Sequence, residues 1–417
     1  MQCDAADRSS LAPAVRSTRE EAAVHASRIK LVVAVLVAAL LGTALYLVLT
    51  EGVAMLRSSE PQDAGPGEVP KFVYTPRDTV PTTEDHGPVG PVALVLAVPS
   101  VREGLTGRME NPWVAVSSQD GRYRALSAPH RPDPEADAVA VSSDGRSLAW
   151  GFEDGVVVLD PVSDEARELV EQIPGDAAVG EFSPDGRLLT VYAGELHVME
   201  VSSGEVVARL DGVDERAARQ AVWTTDGAAL TYVENGRLVT HDWGSDARTS
   251  VPAPTIAEEA TLAWSPSGEQ LAALREVRGV RFVEVFDVAG DGRLSLAHTV
   301  RPAGHAQREL LGWVNDRRVA VTALRIETGT LELAYSMSTV DTSPPSQLMQ
   351  LPADGIHRPT LEVAAEPLSQ GSARFEEPTW PATDVSKLVA SVVLSAFLLG
   401  LYLTRRPRKG QSRLVER

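Results

Sequence analysis

The chain has 417 residues, of which 43% are hydrophobic and 23% charged, and its formal net charge is −18. This length allows two domains or one large one, and the composition excludes wholesale disorder. The acidic balance argues against a nucleic-acid-binding protein, and the single cysteine, Cys3, excludes a disulfide framework and a cysteine-based structural zinc site.

Two apolar segments near the ends of the chain are long enough to cross a bilayer. Residues 31–50 hold no charge over twenty positions, and residues 388–404 hold none over seventeen. A twenty-residue helix spans about 30 Å, the thickness of a hydrocarbon core. We therefore predict two transmembrane helices. A cleaved signal peptide is the alternative for the first segment, and a buried globular helix is the alternative for the second.

Basic residues flank both segments on the side away from the middle of the chain. They are Arg28 and Lys30 before the first segment, and Arg405, Arg406, Arg408 and Lys409 after the second. By the positive-inside rule these residues set the topology, with both termini in the cytoplasm. Residues 51–387 carry a net charge of −24 and would lie outside. The prediction is a two-pass protein of the cell membrane with an acidic extracytoplasmic domain.

A short motif recurs in the middle of the chain at a constant spacing. Its last residue is a glycine, and the four glycines Gly145, Gly186, Gly227 and Gly268 lie 41 residues apart. An aspartate precedes three of them, at Asp144, Asp185 and Asp226. Aspartate followed by a glycine in the left-handed conformation is typical of a tight turn between two antiparallel strands.

A large apolar or β-branched residue opens each motif. These residues are Val141, Phe182, Trp223, Trp264 and, in a fifth and looser copy, Trp313. Because they recur at or near the repeat period, we interpret them as packing residues between adjacent repeats. A ring that stacks on a ligand at a channel mouth is the functional alternative.

Each repeat of about forty residues has room for four short strands, which is typical of one blade of a β-propeller. A β-sandwich with coincidental turns is the alternative. Five complete units run from about residue 136 to 352, with two or three strands before them and one after. Joining three early strands and the late strand in one composite blade would close the ring. We therefore predict an all-β fold with six four-stranded antiparallel blades, and seven blades as the alternative.

The residues SPDG at 183–186 resemble the WD40-like repeats of TolB-type propellers. The resemblance covers roughly residues 91–366, and the Trp-Asp and Gly-His pairs of true WD40 blades are missing. It implies the propeller fold and leaves function open, because propellers host many activities.

The predicted organisation has seven parts. They are a cytoplasmic tail (1–30), a first transmembrane helix (31–50), a linker rich in proline, glycine and acidic residues (51–90), the propeller (91–366), a second linker (367–387), a second transmembrane helix (388–404) and a basic tail (405–417).

Motifs for catalysis or cofactor binding do not emerge from the sequence. It has no Gly-x-Ser-x-Gly elbow and no P-loop, and its eight histidines form no metal-binding pair. We therefore expect no enzyme activity, no cofactor and no metal. The leading hypothesis is a protein-interaction or scaffold module of a bacterial cell envelope. A ligand sensor acting through the two helices and an enzyme with an active site at the channel mouth are the alternatives.

Overall fold

The computed structural model describes most of the middle of the chain. It describes residues 67–378 and residues 392–395 and 397–398, apart from gaps at 75, 77–78, 99, 104–106, 111, 128–129, 131–138, 153–154, 170–176, 254–255, 257–259, 278–279, 291–292, 301–304, 326–331, 339–345 and 352–360. The chain divides into two compact units, Ser58–Pro381 and a unit of Met1–Arg57 with Ala382–Arg417.

The first described elements precede the repeats. They are β1 (Val69–Pro70), α1 (Thr83–His86), β2 (Val92–Ala97), β3 (Ser100–Glu103), β4 (Gly107–Glu110), β5 (Trp113–Ser117) and β6 (Tyr123–Ala125). The hairpin of β3 and β4 is an insertion that the repeat pattern does not predict. Its residues Val101 and Met109 are buried in a hydrophobic cluster with β2 and β5, so it is part of the core.

Five blades follow, each built from four consecutive strands paired antiparallel in sequence order. The first blade contains β7 (Val139–Val141), β8 (Leu148–Phe152), β9 (Gly155–Asp160) and β10 (Glu165–Leu169). The second contains β11 (Ala178–Phe182), β12 (Leu188–Tyr192), β13 (Leu196–Glu200) and β14 (Val206–Leu210). After α2 (Glu215–Arg219), the third contains β15 (Val222–Trp223), β16 (Ala229–Glu234), β17 (Arg237–Asp242) and β18 (Ala247–Pro252).

The last two of these blades have longer strands. The fourth contains β19 (Thr261–Trp264), β20 (Gln270–Val277), β21 (Val280–Val288) and β22 (Leu294–Val300). The fifth contains β23 (His305–Asn315), β24 (Arg318–Arg325), β25 (Glu332–Ser338) and β26 (Ser346–Leu351). The chain then adds β27 (Leu361–Val363), α3 (Ala365–Gln370) and β28 (Ser372–Ala373).

One more four-stranded sheet joins the two ends of this region. Its strand order is β27-β2-β5-β6, so three early strands pair with one late strand. We call it the composite sheet. The described residues thus form five blades of consecutive strands and one sheet that combines early and late strands. The prediction of six blades requires this composite sheet to count as a blade.

The first strand of each blade lies on the inside of the assembly. Neighbouring first strands contact each other in turn, from β27 and β7 through β11, β15 and β19 to β23. Apolar side chains fill the spaces between successive sheets, as in the cluster that joins Phe182 and Leu189 of the second blade to Val156 and Val158 of the first. The core is therefore divided into layers between the sheets.

Residues 67–90 lie within the predicted linker of residues 51–90, yet they pack against the folded unit. This segment, which we call the strap, packs along the outer edges of two sheets. The backbone N–H of Val73 donates to Gln350 of β26 at 2.8 Å, and Ala125 of β6 donates to Pro81 at 2.9 Å. Val69, Val73 and Val80 are buried. Pairing of β1 with β28 likewise brings part of the second predicted linker into the folded unit.

The predicted transmembrane helices remain predictions. Residues 31–50 lie outside the described part of the chain, as do most of residues 388–404. Within the described part, no helix is long and apolar enough to cross a membrane. The described residues 392–395 and 397–398 are helical, and Val393, Phe397 and Leu398 among them are exposed.

Candidate functional site

The repeated turns share one hydrogen-bond network. In the second blade, the hydroxyl of Ser183 donates to Asp185 Oδ1 at 2.6 Å, and the backbone N–H of Arg187 donates to the same oxygen at 3.2 Å. Gly186 closes the turn with φ +70°, a conformation that side chains other than glycine rarely adopt. Asp144 and Gly145 of the first blade, and Asp226 and Gly227 of the third, repeat this geometry.

Hydrogen bonding to the charged form lowers the pKa of two of these aspartates, Asp185 and Asp226. The hydroxyl of Ser183 is the main cause that lowers the pKa of Asp185, and the hydroxyl of Thr224 does the same for Asp226. The fourth turn differs because Ser267 stands in place of the aspartate. Gly268 still has a left-handed φ of +73°, and the N–H of Ser267 donates to Asp316 of the fifth blade at 2.8 Å.

Adjacent turns contact one another at one end of the propeller. The Thr225 hydroxyl of the third blade donates to the carbonyl of Ser265 in the fourth at 2.9 Å. Gly145 of the first blade lies directly against the backbone of Val92, the first residue of β2, and accepts its N–H at 2.8 Å. The repeat-turn residues therefore join neighbouring sheets as well as closing hairpins.

The five large residues that open the motifs all lie at junctions between sheets. Phe182, Trp223 and Trp313 are buried, and Val141 and Trp264 are partly buried against neighbouring clusters. The Trp223 indole N–H donates to the carbonyl of Glu181 in the preceding blade at 3.0 Å. The Trp313 indole donates to Ala263 at 2.9 Å. Within the described residues, the buried indole nitrogen of Trp264 has no hydrogen-bond partner.

Glu181 is a feature that the sequence reasoning missed. It lies in the inner strand β11, where the pairing with β12 shifts between Val179 and Phe182. Thr190 bridges this bulge: its hydroxyl accepts the N–H of Glu181 at 2.8 Å and donates to the Glu181 carbonyl at 3.2 Å. A Cβ at Gly180 would overlap the Thr190 hydroxyl, so only glycine fits there. An isolated glycine next to a charge in an apolar strand was the available signal.

The surroundings of Glu181 change its acidity. Glu181 is exposed by its accessible surface area, although many protein atoms lie around its carboxyl group. Desolvation raises the pKa of the Glu181 carboxyl to about 7, although a hydrogen bond from the backbone of Trp223 lowers it in part. A carboxyl group that titrates near neutral pH on an inner strand can donate or accept a proton there.

Other predicted residues and sites have different outcomes. The topology-setting residues Arg28, Lys30, Arg405, Arg406, Arg408 and Lys409 lie outside the described residues. Across residues 67–378, with the gaps given above, no group of three histidine, cysteine or acidic side chains is placed to hold a metal ion.

Comparisons with known proteins find similarity to solved structures only, at low sequence identity. No protein-family model matches the chain, and no curated protein matches it. Among solved structures, TolB from Acinetobacter baumannii is 17% identical, with 64% of this chain and 68% of that chain covered and a TM-score of 0.40. A periplasmic gluconolactonase from Pseudomonas aeruginosa is 18% identical, with 64% and 85% covered and a TM-score of 0.39.

A hydrazine synthase chain from Kuenenia stuttgartiensis is 16% identical, with a TM-score of 0.37. The match covers 52% of this chain and 66% of that one. Similarities at this level concern the fold alone. The propeller fold that the TolB-type repeats implied is confirmed by the sheet order, since the described residues form four-stranded antiparallel blades.

Proposed function

We propose that this protein is a membrane-anchored propeller that binds a protein partner on the extracytoplasmic side of the cell membrane. The observation that supports it is the position of the two ends of the propeller. At one end, the N–H of Glu68 donates to the carbonyl of Ser118 at 3.0 Å. At the other, Phe375 packs against Gly121 of the same turn. The two ends of the propeller therefore contact the same turn, residues 118–121. Such neighbouring ends are compatible with a propeller that is anchored by an apolar segment on each side.

We infer further that the composite sheet acts as a sixth blade. Its apolar side chains pack on both neighbours: Val95 and Trp113 join a cluster with the first blade, and Leu94 joins one with Met349 of the fifth. A sheet that combines the first and last strands would hold the ring shut by ladder hydrogen bonds. This arrangement would give a rigid binding platform.

The topology can be tested with the natural cysteine. Cys3 is the only cysteine of the chain and is predicted to be cytoplasmic. A membrane-impermeant maleimide should label it only after the cells are permeabilised. In a Cys3→Ser background, Ser202→Cys, at an exposed position in the turn after β13, should be labelled in intact cells. Labelling of Cys3 in intact cells would contradict the proposed orientation.

The partner can be tested by cross-linking intact cells that carry the chain with a C-terminal tag. We expect one membrane or secreted protein to be recovered repeatedly, and not with an unrelated tagged two-pass protein. Recovery at background level in repeated experiments would overturn the interaction module.

Glu181 is the observation that favours a second candidate, an enzyme with a channel-mouth active site. A general acid or base works best when its pKa lies near the working pH, and desolvation by the surrounding protein raises the pKa of this exposed carboxyl to about 7. The test is an activity screen on the purified full chain against lactone and glycoside substrates, with and without divalent metal. Turnover that is lost in Glu181→Gln and retained in Glu362→Gln, on the inner strand β27, would support the enzyme.

A further inference from the structure

The outer strands of the sheets differ in how their free edges are protected. The strap covers part of β6 and β26 through the hydrogen bonds of Ala125 and Gln350. Three other outer strands carry an arginine: Arg167 in β10, Arg209 in β14 and Arg248 in β18. Charges and covering segments are the usual means by which proteins prevent an open edge from pairing with another chain.

Among the residues that the structure describes, the outer strand β22 of the fourth blade has neither form of protection. Its seven residues, Leu294–Val300, include no charged residue and no proline. Within the described part of the chain its only strand partner is β21. Leu296 is 51% exposed, the highest value among the large apolar side chains of the propeller strands whose burial the structure describes. An uncharged edge of this length in a chain with net charge −18 is a ready template for another strand.

We propose that β22 receives an extended, uncharged segment of a partner protein as an added β-strand. This inference rests on the proposed interaction function and names the surface and the partner chemistry. The strap shows the binding mode within the same molecule. Phe72 forms a parallel bridge with Gln350 on the outer edge of the fifth blade, and the next residue, Val73, is buried. Main-chain hydrogen bonds would hold the partner, and alternate apolar side chains would pack beside Leu296.

The charge pattern selects the occupant. β22 has no acidic or basic side chain that could form an ion pair with a charged residue of the partner, and the net charge of −18 disfavours an acidic segment. A segment that alternates apolar and hydroxyl side chains would match Leu294, Ser295, Leu296 and Thr299 across the strands.

A defined peptide tests strand addition without knowledge of the natural partner. The probe is the acetylated and amidated peptide LSLAHTV, which copies residues 294–300, and its control is a scrambled peptide. At about 1 mM probe, hydrogen exchange at the backbone amides of β22 in the purified full chain should slow by about tenfold. The scrambled peptide should have no such effect. Unchanged exchange with the LSLAHTV peptide would overturn the proposal.

Two matched variants locate the effect. Leu296→Lys places a charge on the open edge and should abolish the protection. Val207→Lys changes a similarly exposed valine (41%) on β14 and should leave it intact. Equal loss in both variants would show that the peptide binds elsewhere or through general hydrophobicity.

Cross-linking in intact cells distinguishes a failure of the β22 proposal from a failure of the proposed interaction function. A partner that is recovered by cross-linking with the native chain should be lost with Leu296→Lys and kept with Val207→Lys. If Leu296→Lys retains the partner, the interaction module stands and the β22 edge is not its binding surface. If the native chain recovers no partner, the interaction module fails, and the peptide experiment still decides whether the edge accepts a strand.

Discussion

The junction between the second and third blades and the junction between the third and fourth blades carry equivalent tryptophans in different environments. Trp223 is buried, and its indole is hydrogen-bonded to Glu181 of the preceding blade. Trp264 is partly buried, and its indole nitrogen has no partner among the described residues. The same repeat position therefore supplies packing at both junctions and a polar connection at only one. Junctions of one propeller can thus differ in strength, and substitutions at matched positions measure that difference.

The largest contrast should come from two turn glycines at different junctions. Gly145 and Gly227 share a left-handed φ, +70° and +69°. A methyl group at Gly145 would overlap the backbone of Val92, whereas at Gly227 its nearest neighbour is Pro184 at 3.6 Å. We expect Gly227→Ala to lower the free energy of unfolding by about 1–2 kcal/mol and Gly145→Ala by about 3–5 kcal/mol. Urea unfolding measures both free energies. Equal decreases in the two variants would show that the backbone of the composite sheet at Val92 shifts at little cost.

A smaller contrast is expected between the tryptophans themselves. Trp223→Phe breaks the hydrogen bond to Glu181 and should cost about 1–2 kcal/mol more than Trp264→Phe, which breaks none. Part of this difference reflects the deeper burial of Trp223. Trp313→Phe breaks an equivalent bond to Ala263 and should behave like Trp223→Phe. If all three variants lose the same stability, the inter-blade hydrogen bonds have no net effect.

The junction of the second and third blades should also depend on pH. Desolvation by neighbouring protein atoms raises the pKa of Glu181 from 4.5 to about 7, so the folded chain binds more protons than the unfolded chain between these values. Stability from this group is present below pH 4.5 and is lost as pH rises through 7. Denaturant midpoints measured across this window should fall with pH in the native chain and fall less in Glu181→Gln. The solvent-accessible surface of Glu181 reduces the effect. The same change of denaturant midpoint with pH in the native chain and in Glu181→Gln would contradict a contribution of Glu181.

The smallest effect should appear on the acid side, at the turns. The pKa values of Asp185 and Asp226 are lowered in the folded state by hydroxyl hydrogen bonds, so the unfolded state binds more protons at low pH. Stability from these groups is present above the ordinary value of 3.8 and is lost as pH falls below it. Asp226→Asn should weaken that acid dependence by a few tenths of a kcal/mol at most, because the side chain is exposed. Thermal melts between pH 3 and 6 measure it.

Local chemistry made the blades predictable. Glycines such as Gly186 and Gly227 mark each hairpin because the turn requires a positive φ, and apolar strands on both sides follow from the pattern. The three early strands and the late strand of the composite sheet could be inferred in the same way. The two transmembrane helices stay predictions, since the residues that would form them are largely outside the described part of the chain.

Long-range contacts made the rest unpredictable. The strap has the composition of a linker. Hydrogen bonds to residues such as Gln350, far along the chain, and the burial of its valines hold it in place. The raised pKa of Glu181 likewise depends on a neighbouring blade and on a bulge that Thr190 supports. The repeat period predicts that the tryptophans lie at the junctions, but it does not predict which indole N–H donates a hydrogen bond to a backbone carbonyl.

The pairing of β1 with β28 has a mechanical consequence. These two strands are parallel, with Val69 beside Ser372, so the chain before β1 and the chain after β28 leave the pair in opposite directions. A pull on both ends would load the bonds from Val69 to Gly371 and from Lys71 to Ala373 together, in shear. The β1–β28 pair would therefore bear a force on the two chain ends before that force reaches the sheet that joins the first and last strands.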